Sequence, residues 1–72
     1  MGKSALVAIA NGSEEIEAVI VIDTLRRANI KVTVASIEQQ KQVTCSRGVV
    51  IVADELFSDC SAKDYDIIVL PG

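Results

Sequence analysis

The sequence predicts an α/β fold built on a mostly parallel sheet, and three observations carry that prediction. Residues 5–10 and 66–70 are apolar runs, the pattern of strands buried on both faces, and residues 30–37 form a β-branched run. Between the first apolar run and the β-branched one, residues 14–28 place apolar side chains at helical spacing. The polar breaks fall at Asn11-Gly12-Ser13 and after Ile37, where such strands should hand over to other elements. There is no internal repeat or linker composition, so residues 1–72 read as part of a single domain.

Residues 5–10 form the first strand, and Ser13 reads as the N-cap of the helix that follows. Glu14, Glu15 and Glu17 put negative charge at its N-terminus, while Arg26 and Arg27 put positive charge in its last turn, as the macrodipole favours. On a helical wheel Ala18, Val21, Ile22, Leu25 and Ala28 form one apolar stripe, and Ile16, Val19 and Ile20 lie on the far side. One stripe can pack on the sheet; the second needs a cover of its own, which we read as a homodimer contact. Residues 30–37 return as a β-branched strand and complete a βαβ unit, for which right-handedness is the rule. Residues 38–42 form a turn, and 43–45 with 49–52 form a small hairpin around Ser46-Arg47-Gly48. Residues 54–64 hold a short helix, and 66–70 form a further strand that ends at Pro71-Gly72. A parallel strand needs a following helix to cover it and none is left, so the chain reads as a fragment.

Composition narrows the function. Half of the 72 residues are hydrophobic, whereas a chain of this size buries only about 60% of its unfolded surface, so some apolar surface is expected to meet a partner or a further segment. The net charge of -3 and the scattered Lys and Arg residues lack the basic stripe that nucleic acid requires. No apolar run is long enough to span a bilayer and no signal-peptide core is present, so membrane partners are excluded and a cytoplasmic location is expected. The position after Ala5 is Leu6, which breaks the myristoylation pattern beginning at Gly2. Cys45 and Cys60 form no C-x-x-C pair and His is absent, so neither a metal site nor a Cys/His nucleophile is expected. Phosphate-binding glycine loops are missing as well.

The acidic cluster Glu14, Glu15 and Glu17 falls at the carboxyl edge of the sheet, where doubly wound folds bind ligands. Dipole complementation alone explains Glu14 and Glu15; Glu14 is nevertheless carried as a binding candidate. Glu17 lies between the two apolar stripes, where partial burial favours a protonated carboxyl able to hydrogen-bond a thiolate. Gly72, after an apolar strand, suits a turn whose backbone N–H groups approach an oxyanion. Arg47 stands two residues from Cys45 and is expected to lower its pKa, although packing remains the simpler role for that thiol. Cys60, between Asp59 and Ser61, suits no nucleophilic duty.

Taken in order, Gly12-Ser13-Glu14-Glu15-Ile16-Glu17, Lys31-Val32-Thr33-Val34-Ala35, Cys45-Ser46-Arg47 and Tyr65-Asp66-Ile67-Ile68-Val69-Leu70-Pro71-Gly72 resemble the opening of a Parkinsonism-associated deglycase family protein, in the ThiJ/PfpI superfamily. The resemblance implies a flavodoxin-like, doubly wound sandwich of which this is the N-terminal part: a βαβ unit, a small hairpin and one further strand. It implies a homodimer and a reactive Cys on a strand-to-helix turn beyond Gly72. Glu17 matches the family's Glu that hydrogen-bonds that Cys, and Gly72 begins the turn lining the oxyanion pocket. Arg27 and Arg47 match basic residues near the dimer-related pocket. Ile16, Val19, Ile20, Val50 and Ile51 match its dimer contact, and Cys45 matches a peripheral thiol. The implied activity is that of a glyoxalase or deglycase acting on a small dicarbonyl or its adducts without added cofactor, with protection against oxidative stress. The alternative is a redox sensor or chaperone whose output is binding. The implied partners are a second copy and the remaining C-terminal part of the domain.

Overall fold

The structure, a computed structural model, describes residues 2–71. Its elements run β1 (Ser4–Ile9), α1 (Glu15–Arg27), β2 (Lys31–Ser36), β3 (Gln42–Thr44), β4 (Val50–Val52), β5 (Glu55–Leu56), α2 (Phe57–Cys60) and β6 (Ile67–Val69). Four strands form a parallel sheet in the order β5-β2-β1-β6, and β3 and β4 pair antiparallel as a separate ribbon. This is the expected mixed α/β architecture with a parallel sheet. The two-residue strand β5 was not foreseen; it falls where a short helix alone is expected, and that helix begins directly after it at Phe57.

β1 is the centre of the sheet, and its two faces explain its apolar run. Ala5, Val7 and Ile9 point to one face, where α1 contributes Ala18, β2 contributes Val32 and Val34, and the hairpin region contributes Val43 and Ala53. Leu6 points to the other face and packs with Ala35 and Cys60, under Phe57 and Tyr65. A strand covered on both sides has no polar positions to offer, hence the unbroken run. Val21, Ile22 and Leu25 lie half-buried against the α1-side core, as the first stripe predicts. Ala28 departs from it: it is the C-cap and is exposed.

The helix ends follow local hydrogen bonding. Ser13 is not the N-cap; its hydroxyl accepts from Ala10 N at 2.9 Å, which closes the turn after β1. Glu14 takes the cap instead, its Oε1 accepting from Ile16 N at 2.9 Å, and α1 starts one residue later than expected. At the C-terminus Asn29 adopts φ 62°. Its N–H donates to Arg26 O at 3.0 Å and Ile30 N–H donates to Leu25 O at 3.0 Å, the paired bonds of a Schellman motif.

The other joints are held by side chains. Ser36 Oγ donates to Gln40 O at 2.7 Å and accepts from Glu38 N at 3.1 Å, shaping the turn after β2. Asp54 Oδ2 accepts from Val34 N at 2.9 Å and faces Arg26 Nη2 at 3.6 Å, tying the start of β5 to β2 and α1. Asp66 Oδ2 accepts from Ser4 N at 2.7 Å, which sets the register of β6 on β1. Among the described residues no helix is long and apolar enough to cross a membrane.

Candidate functional site

The candidate site is the carboxyl edge of the sheet, where the β1–α1 loop meets the hairpin turn. Gly12, at φ 88°, donates its N–H to Thr44 O at 2.9 Å, a conformation that favours glycine. Thr44 N donates to Asn11 Oδ1 at 3.0 Å, and Ser46 N donates to Ser13 O at 2.9 Å. Asn11 N in turn donates to Glu38 Oε2 at 3.0 Å, drawing in the turn after β2. Three separate chain segments are thus stitched around the first turn of α1.

Glu15 lies at the middle of this arrangement and is buried. Its Oε1 accepts from Ser46 Oγ at 2.9 Å and its Oε2 from Arg47 N at 2.8 Å. Its own backbone N–H holds the carboxyl below its ordinary range, with further contributions from Ser46, Arg47 and Val49 that outweigh the opposing effect of burial. Sequence reasoning gave Glu15 a solvated, dipole-complementing place. Its partners lie 31 and 32 residues away, beyond the reach of helical periodicity; the available signal was the donor-rich Ser46-Arg47-Gly48 turn.

The expected site residues are distributed as follows. Glu14 is half-buried and its carboxylate is engaged in the cap. Glu17 is exposed, which corrects the expected partial burial: Ile16 and Ile20 of the neighbouring second stripe are themselves exposed. Gly72 lies outside the described residues. The backbone of Arg47 is held on Glu15 while its side chain is exposed. Arg27 is at the other end of α1, paired through Nε with Asp23 Oδ2 at 2.9 Å. With a rise of about 1.5 Å per residue, roughly 18 Å of helix separates Arg27 from the first turn, so this chain does not bring the two arginines together.

Ile16, Val19 and Ile20 are exposed as expected and, with Val49 from the hairpin turn and the stem of Glu15, line a shallow apolar groove. Val50 is exposed on the neighbouring strand. Ile51 is not: it pairs with fully buried Val43 and packs into the α1-side core, because adjacent strand residues face opposite ways. Cys45 is buried, and its thiol is pushed up by desolvation and then by Glu15 and Glu14. This overturns the expected lowering by Arg47 and leaves a packing thiol. Cys60 is also buried and donates through Sγ to Leu56 O at 3.4 Å; both cysteines are unpaired. Among the described residues no group of three His, Cys, Asp or Glu side chains could hold a metal ion.

Comparison with known proteins gives this edge its context. Residues 3–72 match the model of the DJ-1/PfpI family. The chain is 49% identical over 72 residues to Protein dj-1beta of Drosophila melanogaster, covering 100% of this chain and 38% of that protein. It is 37% identical over 71 residues to Glutathione-independent glyoxalase DJR-1.2 of Caenorhabditis elegans, covering 97% of this chain and 38% of that one. Among solved structures, oxidized Toxoplasma gondii DJ-1 superposes with a TM-score of 0.97 at 51% identity, covering 99% of this chain and 39% of that chain. The chain therefore spans well under half the length of the relatives it matches.

Proposed function

The chain belongs to the DJ-1/PfpI family, and on that premise we propose that it is the N-terminal portion of a cysteine-dependent, cofactor-independent enzyme acting on reactive dicarbonyls or their adducts. The observation that carries this reading is the position of Glu17. It stands in the first turn of α1, directly beyond the carboxyl end of β1, and is open to solvent. A carboxyl there can reach a thiol brought over the same edge of the sheet. The 37% identity to a glutathione-independent glyoxalase supports the substrate class.

Both cysteines of this chain are buried, so the nucleophile is assigned to the part of the protein outside it. The thiol adds to the aldehyde carbon of the dicarbonyl and forms a hemithioacetal. A proton then moves from that carbon to its neighbour, giving a 2-hydroxy thioester. Water hydrolyses the thioester, releasing the hydroxy acid and restoring the thiol, with no outside oxidant or reductant. Glu17 is the group that exchanges these protons and hydrogen-bonds the thiol. Arg47 and Glu14 stand on the substrate side of the edge, and Gly72 on the oxyanion side. Two copies join through Ile16, Val19, Ile20 and Val50, and the protein acts in the cytoplasm in defence against oxidative stress.

The test is methylglyoxal consumption by the full-length protein without glutathione. The wild type is expected to consume it, and Glu17→Gln to lower the rate by about 10²- to 10⁴-fold, the usual range for a lost proton-transfer group. An inactive wild type, or an unimpaired variant, would overturn the reading. Peroxide-dependent binding of unfolded clients without turnover would replace it with a chaperone.

A further inference from the structure

Glu15 is a buried carboxylate in the first turn of α1 that the proposed chemistry does not use. Complementing the helix dipole requires only that a first-turn carboxylate be near the unpaired N–H groups, and an exposed side chain does that. Glu15 instead turns onto the hairpin, where the Ser46 hydroxyl and the Arg47 N–H each meet one of its oxygens within 2.9 Å, and the Val49 N–H adds to the lowering of its pKa. The turn it holds needs such a tie. Gly48 sits at φ 87° and the turn's internal bonds are Cys45 N to Val49 O and Gly48 N to Cys45 O, at 2.8 and 3.0 Å. Those bonds close the turn on itself without fixing it to α1. Ser46 N to Ser13 O is the backbone bond that joins it to the loop before the helix.

We propose that Glu15 is a positioning residue: its carboxylate clamps the turn from Ser46 to Val49 onto the first turn of α1 and thereby fixes where Arg47 meets the substrate. This rests on the reading of Arg47 as a substrate-side cation. The ionised form is what suits the task. A carboxylate offers two oxygens and accepts everywhere, whereas an amide offers one oxygen and turns N–H groups toward donors that have no use for them. An Asp side chain, one methylene shorter, draws its oxygens back from the turn. The clamp also explains why the apolar groove is continuous, since Val49 belongs to the turn while Ile16, Val19 and Ile20 belong to the helix.

The test uses the full-length protein with Glu15→Gln, Arg47→Ala and the double variant. Amide hydrogen exchange at Arg47 and Val49 is expected to accelerate in Glu15→Gln while the exchange of β1 amides stays slow. In methylglyoxal turnover, Glu15→Gln and Arg47→Ala are each expected to raise KM about tenfold with kcat held within about twofold, as for lost uniform binding. The double variant is expected to be no worse than Arg47→Ala, because both changes act through one contact. Additive KM effects, or unchanged exchange at the two amides, would sink the proposal. So would a loss confined to kcat that tracks a general fall in stability. If the wild type shows no dicarbonyl turnover, the functional reading fails and exchange alone judges the clamp: protection lost in Glu15→Gln upholds it, and protection retained rejects it.

Discussion

Acid acts on the clamp through Glu15. Its carboxyl is held below the ordinary value of 4.5 first by its own backbone N–H and then by the Ser46 and Arg47 donors, against burial. A folded pKa lower than the unfolded one means that the contribution to stability is complete above the unfolded value and lost as pH falls through the folded one. The expected outcome is that denaturant unfolding of the full-length wild type loses stability as pH falls below 4.5, and that Glu15→Gln flattens this part of the profile. An unchanged slope in the variant would assign the acid sensitivity to other carboxylates. At this scale the sequence showed the residue types but not their partners. Glu17 and Arg47 were legible as candidates, while the burial of Glu15 depends on a turn more than thirty residues away and the raised Cys45 thiol on its desolvation. Proximity in the chain suggested Arg47 as a neighbour that lowers the Cys45 pKa beside the simpler packing role; desolvation first, then Glu15 and Glu14, raise it instead and leave the packing role.

At the level of elements, apolar runs and helical spacing were sufficient to find β1, α1, β2, the hairpin and β6, because each of them buries a face against the same core. β5 escaped because two residues carry no periodicity; it exists through its pairing with Ala35 and Ser36 and through the Asp54 contacts. The N-cap moved from Ser13 to Glu14 because the serine hydroxyl had a nearer use in the β1–α1 turn. The Schellman end of α1 gives a direct test. Asn29 holds φ 62°, a conformation that costs an ordinary L-residue about 1–2 kcal/mol. Asn29→Ala is expected to lower the unfolding free energy by about 1 kcal/mol, and Asn29→Gly to leave it unchanged or raise it slightly, measured by denaturant titration. Equal destabilisation by both would show that the Asn side chain, and not its backbone, holds the helix end.

Two regions of exposed apolar surface stand out at the scale of the molecule. Ile16, Val19, Ile20 and Val49 lie around the α1 groove, and Ile68 and Leu70 stand exposed on and just beyond β6. The first was legible as a second helical stripe; the second follows from strand alternation, since Ile67 and Val69 turn to the α1-side core and leave Ile68 beside Leu6 on the opposite face, where it stays exposed. If α1 joins two copies, Val19→Arg in the full-length protein is expected to convert the dimer to monomer in sedimentation experiments, with the fold intact by circular dichroism. A variant that remains dimeric would move the interface elsewhere. The sheet order has a further effect, on the time course of folding during synthesis. β1 is made first, yet its two neighbours are β2, reached after one crossover, and β6, whose Asp66 lies 62 residues from Ser4. Contacts so distant in sequence slow folding because a long loop must close first. At roughly 5–20 residues per second, the nascent chain therefore spends several seconds with its central strand paired on one edge only, and a chaperone that binds unpaired strands has that interval in which to act.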